Sequence, residues 1–234
     1  MKVTRRSCRQ GAREARGVVV VIDVFRAFTC APLFFYFGAG RVILEADPDK
    51  AQRLKRENPE WILVGEVNEV PLQDADLGNS PSHIMKKGSS FFRGKTIIHR
   101  TTAGVTGVAA AVPGADQVIL GSFVTAKATA AYIMGRDPDL VTLVAMGDRG
   151  KTPAPEDELC ADYLEHLLTG TTYEPFEAIG NVLFQRTVQK FLVGEKPYLP
   201  PEDPLICLQR DLFDFVPIAE TRGEFIEIDR VFLT

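Results

Sequence analysis

The chain has 234 residues, of which 45% are hydrophobic, and a formal net charge of −4. This length supports one substantial core or two small domains that share an interface, and the acidic balance argues against a nucleic-acid or anionic-membrane partner. The longest apolar runs fall short of the roughly 20 residues that a bilayer span needs, and no signal-peptide pattern is visible. The four cysteines are widely spaced and form no CxxC pair, so a cytoplasmic protein with reduced thiols is expected.

The first strong strand signal is the apolar run VVVVIDV at residues 18–24, which contains Asp23. A continuous β-branched run of this length is typical of a strand buried on both faces. Residues 1–16 before it are polar and form either a frayed terminus or an edge strand. Residues 27–37 after it have the length of a helix and are apolar almost all round, which indicates burial on more than one side. Because proline inside a helix costs about 3 kcal/mol, this helix alternatively starts at Pro32.

Strands then alternate with helices as far as Gly170. The predicted strands lie at 41–46, 61–64, 95–99, 117–120 and 140–146, and the predicted helices at 48–58, 81–88, 105–112, 125–134 and 155–168. Residues 67–80 have no helical period and are predicted to form a long loop of the kind that often carries function. After Gly170 the pattern is more helical and ends in a hairpin.

Six strands with intervening helices predict a three-layer α/β/α fold with a largely parallel or mixed sheet. We expect residues 1–234 to form a single domain, with a more helical C-terminal part from about residue 171.

Polar side chains follow the predicted strands at several separate turns. In open parallel sheets, ligands bind beyond the carboxyl ends of the strands. The groups placed there are Asp23 and Arg26; Glu66; residues 76–80; Arg100, Thr101 and Thr102; Ser122; and Asp148, Arg149 and Lys151. Their convergence on one edge follows from the predicted topology, so we expect a shared site there.

The residue types at this edge indicate a site for phosphate and a metal ion. Arg26 and Arg100 lie at helix starts, where a cation opposes the helix dipole by about 0.3–1 kcal/mol. A bound anion would remove that conflict, and the arginine fork fits phosphate or sulfonate oxygens. Asp23, Glu66 and Asp76 are hard oxygen donors suited to Mg²⁺. The combination is typical of metal-assisted phosphoryl chemistry.

Each of these residues also has a purely structural interpretation. The alternatives are a helix cap at Asp23, a salt bridge from Arg26 to Asp23 or Glu66, an Asx-type turn at 76–80, N-caps at Thr101 and Thr102, and helix-start charges at Glu156 and Asp157. Cys160 reads as a small buried hydrophobe. Neither a Walker-type loop nor a GxGxxG fingerprint occurs in the sequence.

Several motifs resemble those of the 2-phosphosulfolactate phosphatase family, in the same order and spacing. They are IDVFRA at 22–27, GE at 65–66, DLGNSP at 76–81, TTAG at 101–104, LGSF at 120–123, EDELCA at 156–161 and CLQRDLFDFVP at 207–217. The resemblance runs from about residue 17 to 217, and the first and third motifs are its most specific parts. The residues that match motif positions are Asp23, Arg26, Glu66, Asp76, Asn79, Ser80, Thr101, Thr102, Glu156 and Asp157.

The resemblance implies an α/β/α fold and a Mg²⁺-dependent phosphatase. The activity for which that family is named removes phosphate from 2-phospho-3-sulfolactate to give 3-sulfolactate in coenzyme M synthesis. Combined with the strand-end analysis, it gives these expected roles: Asp23, Arg26, Glu66, Asp76 and Arg100 as catalytic residues; Asn79, Ser80, Thr101, Thr102, Gly104 and Ser122 as substrate-binding residues; and Asp23, Glu66 and Asp76 as Mg²⁺ ligands.

The chain departs from the family pattern at two places. Residues 67–69 are Val-Asn-Glu where the family often has Arg-Gly-Gly, and residues 100–105 are Arg-Thr-Thr-Ala-Gly-Val where it has Thr-Thr-Thr-Asn-Gly-Thr. Two hypotheses follow. The first is a Mg²⁺-dependent phosphatase that acts on a small anionic phosphate monoester. We expect it to have no nucleic-acid or membrane partner and to be able to form a homo-oligomer. The alternative is a non-catalytic anion-binding or regulatory homologue.

Overall fold

The computed structural model describes residues 1–233 and shows ten strands and eleven helices in an α/β arrangement. The strands are β1 Lys2–Ser7, β2 Val18–Ile22, β3 Arg41–Leu44, β4 Ile62–Val67, β5 Val70–Pro71, β6 Thr96–Arg100, β7 Gln117–Gly121, β8 Leu140–Ala145, β9 Phe215–Arg222 and β10 Phe225–Phe232. Helices cover both faces of the sheet, so the predicted α/β/α fold class is confirmed.

The helices alternate with the strands up to residue 169 and then follow one another. They are α1 Cys8–Glu14, α2 Ala27–Tyr36, α3 Pro48–Glu57, α4 Pro81–Lys87, α5 Ser89–Phe92, α6 Gly104–Ala111, α7 Ala126–Arg136, α8 Pro155–Thr169, α9 Pro175–Leu183, α10 Arg186–Leu192 and α11 Glu202–Cys207. Within residues 1–233, no helix combines the length and apolar character needed to cross a membrane.

The sheet is mixed, with the strand order β1-β8-β2-β7-β9-β10-β3-β6-β4-β5. Strands β1, β8, β2 and β7 form one parallel group, and β3, β6 and β4 form another. The hairpin β9–β10 lies between the groups and pairs antiparallel with β7 on one side and β3 on the other. The last two strands of the chain therefore join the two halves of the sheet.

Strand β2 shows why the valine-rich run folds as it does. All five of its residues are buried, and successive side chains of a strand point to opposite faces. Val19 and Val21 enter the core that contains Phe28 and Phe34. Val18, Val20 and Ile22 enter the opposite core, beneath α7 and α8. The predicted burial on both faces is confirmed.

Helix α2 runs through Pro32 without a break. Proline has no N–H to donate to the carbonyl four residues earlier, which here belongs to Phe28. The hydroxyl of Ser122 donates to that carbonyl at 2.7 Å and is itself fully buried. Ser122 thus satisfies the acceptor that Pro32 leaves free, and it does not line the pocket described below. The contact seen here is structural, and the role of Ser122 in substrate binding stays a prediction.

The largest differences from the predicted elements lie near the site. Residues 1–16 form an edge strand followed by helix α1, and the predicted loop at 67–80 begins with the short hairpin β4–β5. The two turn residues of this hairpin, Asn68 and Glu69, both have positive φ angles, of 50° and 74°. Two such residues between paired strands form a type I′ turn, so the altered segment 67–69 is a tight turn.

Candidate active site

A pocket of about 50 Å³ lies where the carboxyl ends of β2, β4, β6 and β8 meet. Its wall consists of Asp23, Phe25, Arg26, Glu66, Glu69, Asn79, Thr101, Thr102, Ala103, Gly147, Asp148, Arg149, Glu156, Asp157, Thr187 and Lys190. Strands β4 and β6 belong to one parallel group, and β2 and β8 to the other. The pocket therefore unites both halves of the sheet.

Packing of α6 against α2 and β2 brings the two halves together beside Asp23. Gly104 begins α6, and a Cβ atom added there would lie 2.8 Å from Oδ2 of Asp23 and 2.9 Å from Cβ of Ala27. Only glycine fits this approach without a shift. Asp23 Oδ1 also accepts a hydrogen bond from the backbone N–H of Ala27 at 3.2 Å. Gly104 allows α6 to reach Asp23, and its contact with substrate stays a prediction.

Asp23 is buried among other carboxylates. Burial is the main cause that raises its pKa to about 7, and the charges of Glu66 and Glu156 add to the shift. Hydrogen bonds from the backbone N–H groups of Ala27 and Gly104 oppose it. Asp23 thus lies in a negative environment that favours a proton or a bound cation.

Glu66 ties two turns of the pocket wall together. Its Oε1 accepts the backbone N–H of Thr102 at 2.5 Å, and its Oε2 accepts the Thr102 hydroxyl at 2.9 Å and the backbone N–H of Glu69 at 2.6 Å. Arg100 donates to the backbone carbonyl of Glu66 and, at 3.2 Å, to the hydroxyl of Thr102. Arg100 is buried behind this wall and is not among the residues that line the pocket. In the structure Arg100 supports Glu66, and its catalytic role stays a prediction.

Glu156 and Asp157 begin α8 and enter the pocket, although their sequence position also suited simple helix-start charges. Asp157 accepts the backbone N–H groups of Val24 and Gly147, each at 2.8 Å, and so fixes the ends of β2 and β8 relative to each other. Oε2 of Glu156 is buried and has no hydrogen-bond partner within residues 1–233. Burial raises the pKa of both carboxyls.

The C-terminal helices supply one cation and one hydroxyl group to the pocket wall. Lys190 of α10 pairs with Glu69 of the hairpin turn. Thr187, one turn earlier on α10, lies near Glu156 but outside hydrogen-bond geometry. Neither Thr187 nor Lys190 was predicted, because no local motif signals a contact between residue 190 and residue 69.

Arg26 lies on the pocket wall but pairs with neither of the acids expected for it. Its Nη1 donates to Asp203 of α11 at 3.0 Å, and both side chains are almost completely buried. The predicted salt bridge to Asp23 or Glu66 is therefore wrong, and Arg26 remains at the pocket wall for a ligand.

Asp76 and Ser80 lie outside the pocket. Asp76 accepts the backbone N–H of Leu63 at 2.8 Å and pairs with Lys55 at 2.9 Å, which fixes the loop after β5 on the sheet. Ser80 is buried, caps α4, and donates its hydroxyl to Asp203 at 2.9 Å. The pocket geometry thus gives no support to the metal-binding and catalytic roles of Asp76 or to the substrate contact of Ser80, which stay predictions.

Asn79 lies on the pocket wall and is held by a buried histidine. Its Oδ1 lies 3.0 Å from Nε2 of His99. Burial lowers the pKa of His99 to about 3, so the ring is neutral at physiological pH and can donate from Nε2. Thr101 also reaches the wall, and its hydroxyl accepts the backbone N–H of Val105 at 3.0 Å. The structure thus gathers Asp23, Arg26, Glu66, Asn79, Thr101 and Thr102 at one place.

Buried carboxylates and flanking cations meet at four strand ends, so the chain is an α/β protein with a charged pocket at the carboxyl edge of its sheet. Sequence comparison places it more closely: the family described as 2-phosphosulpholactate phosphatase matches residues 5–222. The chain belongs to the 2-phosphosulpholactate phosphatase family, which confirms the resemblance drawn from the motifs.

Three relatives show the extent of the similarity. A protein of Bacillus subtilis (strain 168) is 31% identical over 217 residues, which is 92% of this chain and 92% of the relative. A protein of Thermoplasma volcanium is 28% identical over 85% of this chain and 87% of its own length. One of Caldanaerobacter subterraneus subsp. tengcongensis is 31% identical over 85% and 86%. All three carry the name "Probable 2-phosphosulfolactate phosphatase".

Proposed function

We propose that the chain is a phosphatase that hydrolyses a small anionic phosphate monoester at the pocket around Asp23. The substrate that best fits the family is 2-phospho-3-sulfolactate, with 3-sulfolactate and phosphate as products, in coenzyme M synthesis. The observation that carries the proposal is the close meeting of Asp23, Glu156 and Arg26 at one pocket. These are the groups that metal-assisted phosphoryl chemistry requires.

The sizes of two adjoining cavities suit such a substrate. The pocket of about 50 Å³ has room for only a few water-sized groups, which fits a phosphoryl group better than a whole substrate. A cavity of about 380 Å³ adjoins it and shares Glu69, Asp148, Arg149, Thr187 and Lys190 with it. We infer that the phosphoryl group enters the smaller pocket and the organic acid occupies the larger cavity, next to Arg149 and Lys190.

Mg²⁺ is the cofactor that suits this pocket. Within residues 1–233 no group of three or more Asp, Glu, His or Cys side chains is arranged to hold a metal ion, but Mg²⁺ commonly takes one or two carboxylates and completes its shell with water and phosphate oxygens. Asp23 and Glu156 fit this need best, because Glu156 Oε2 is buried without a partner whereas both oxygens of Glu66 accept hydrogen bonds. When bound, Mg²⁺ polarises phosphoryl oxygens and lowers the pKa of water.

The chain's own residues supply binding and orientation. Arg26 offers donors to the phosphoryl oxygens and offsets the negative charge that develops on them. Asp157 holds the turns after β2 and β8 in register, so that Asp23 and Glu156 stay on facing walls. Glu66 does the same for the turns after β4 and β6.

A second candidate function is a non-catalytic anion-binding homologue. The observation that favours it is the pairing of Lys190 with Glu69 at one of the altered positions, because this pair neutralises a cation of the pocket wall. A thermal shift with sulfolactate, phosphate or sulfate distinguishes the two functions when it is paired with a turnover assay. Stabilisation without turnover would favour the binding protein.

The direct test is phosphate release from a panel of phosphate esters, with Mg²⁺ and with EDTA. We expect release from small esters that carry a second acidic group, and loss of release with EDTA. Equal or zero release in both conditions would contradict the proposal. A cytoplasmic location, consistent with four free cysteines, and a homo-oligomeric state stay predictions, which cell fractionation and size-exclusion chromatography would check.

A further inference from the structure

Asp203 of α11 is a buried acid that accepts three hydrogen bonds. Its side chain has no exposed surface. Its Oδ2 accepts Nη1 of Arg26 at 3.0 Å, and its Oδ1 accepts the hydroxyl of Ser80 at 2.9 Å and the backbone N–H of Ser82 at 3.1 Å. One carboxylate therefore connects the C-terminal helix α11, the start of α4 and the arginine of the pocket wall.

The contacts of Arg26 occupy only one edge of its guanidinium group. Nη1 donates to Asp203 and also to the backbone carbonyl of Tyr198 at 3.0 Å. The guanidinium carbon lies 5.3 Å from the centre of the Phe191 ring, which restricts its plane. Within residues 1–233, Nε and Nη2 donate no hydrogen bond to the protein, and Arg26 lines the pocket. These two nitrogens form the fork that binds an oxyanion through two parallel hydrogen bonds.

Charge explains why this arrangement needs Asp203. The pocket holds the carboxylates of Asp23, Glu66 and Glu156, and an arginine without its own counter-ion would turn toward them and neutralise the groups that suit a metal ion. A buried pair with Asp203 keeps the guanidinium at a fixed distance from these acids. Removal of one partner of such a pair leaves the other charge uncompensated.

We propose that Asp203 is a positioning residue, which holds Arg26 so that its free edge faces the phosphoryl group. The proposal rests on the proposed phosphatase function and extends its site to Asp203, which lies outside all of the sequence motifs. Asp203 itself touches neither the substrate nor the pocket.

A double-mutant cycle of Asp203→Asn and Arg26→Gln tests this role. Because a misplacement of about 1 Å can cost on the order of 10²-fold, we expect Asp203→Asn to lower kcat/KM by about that factor. In the Arg26→Gln background the same change should lower kcat/KM by no more than about 2-fold, since coupled residues are strongly non-additive. Losses that add fully in the double variant would overturn the proposal, because they would show an effect that bypasses Arg26.

The matched control is Glu227→Gln. Glu227 is also a buried acid paired with an arginine, Arg41, but the pair lies outside the pocket wall. We expect this variant to lose thermal stability and to keep kcat/KM. If Asp203→Asn does not fold, Ser80→Ala loosens Asp203 without removing its charge, and its smaller loss of kcat/KM should likewise vanish in the Arg26→Gln background. A loss that persists there would overturn the proposal.

Calorimetry with inorganic phosphate separates this proposal from the proposed function. If the wild-type protein releases no phosphate from any ester, the phosphatase proposal fails, while phosphate affinity still reports on Arg26. We expect Asp203→Asn to weaken phosphate binding by the same factor as Arg26→Gln. Unchanged phosphate affinity in Asp203→Asn, with a clear loss in Arg26→Gln, would overturn the positioning role.

Discussion

Replacement of Gly104 by alanine tests the close approach on which the pocket is built. The added Cβ would lie 2.8 Å from Asp23 Oδ2, 2.9 Å from Ala27 Cβ and 3.0 Å from Cζ of Phe28. Against an optimal carbon–carbon separation of about 3.5–4.0 Å, the two carbon contacts are about 0.5–1 Å too short. Overpacking of this kind costs about 1–3 kcal/mol, and the better helix propensity of alanine returns up to about 1 kcal/mol. We therefore expect a net loss of stability of about 0–3 kcal/mol.

Activity should respond more strongly than stability. A shift of Asp23 by about 1 Å should lower kcat/KM for phosphate release by on the order of 10²-fold. The matched control is Gly135→Ala in α7, where an added Cβ meets nothing within 4 Å. This control should gain about 0.5–1 kcal/mol and keep its activity. A Gly104→Ala variant with wild-type kcat/KM would refute the claim that α6 must approach Asp23 this closely.

Three further predictions follow from the buried polar contacts. Burial lowers the pKa of His99 to about 3 in the folded state, against about 6.5 in the unfolded state. The contribution of His99 to the free energy of unfolding should therefore be lost as pH falls below about 6.5, by about 1.4 kcal/mol per pH unit. Urea unfolding from pH 7 to 4 should show this extra slope in the wild type but not in His99→Gln; equal slopes would count against a neutral buried ring. Ser122→Ala should lower the free energy of unfolding by about 1–3 kcal/mol, because it leaves the Phe28 carbonyl unpaired, and should leave kcat/KM unchanged. In a Pro32→Ala background the loss of stability should be smaller, and an equal loss there would contradict this explanation. Asp76→Asn should lower stability by about 1 kcal/mol and keep kcat/KM, whereas a loss of Mg²⁺-dependent activity would return Asp76 to the site.

The sequence was sufficient for the fold class and for the alternating elements. The run at 18–24 predicted a doubly buried strand because β-branched residues without alternation suit that environment. The sheet order was not predictable, because the insertion of β9–β10 between the two parallel groups depends on pairing between residues about 100 or more apart. Pro32 suggested a later start for helix α2, which the structure does not show. The hydroxyl of Ser122 satisfies the Phe28 carbonyl that Pro32 leaves free, and Ser122 is also distant in sequence.

For the site, the sequence placed groups correctly where a strand end fixes them. Asp23, Glu66 and Thr101 reach the pocket because each lies at the carboxyl end of a strand. Asp76 met the same chemical criteria but lies in a loop, and the N–H of Leu63 and the amine of Lys55 draw its side chain elsewhere. Roles that depend on tertiary pairing have no local signal.

Glu156 and two residues of the C-terminal helices belong to the site although the strand-end analysis did not place them there. An acid in the first turn of a helix is explained by the dipole alone, so only the match of Glu156 to a family motif, and not its place in the helix, pointed to a role in the site. Lys190 and Asp203 contact residues of the pocket wall because α10 and α11 pack against the turns after the strands.

The measurement that tests the central claim most directly compares Glu156→Gln with Glu158→Gln. Both residues lie in the first turn of α8, but Glu156 faces the pocket with an unpartnered oxygen, whereas Glu158 accepts the hydroxyl of Ser7 at 2.7 Å outside it. We predict that, with Mg²⁺ present, Glu156→Gln lowers kcat/KM for phosphate release by on the order of 10²-fold or more and Glu158→Gln by less than about 2-fold. Wild-type turnover in Glu156→Gln, or an equal loss in both variants, would contradict the assignment of this pocket as the phosphatase site.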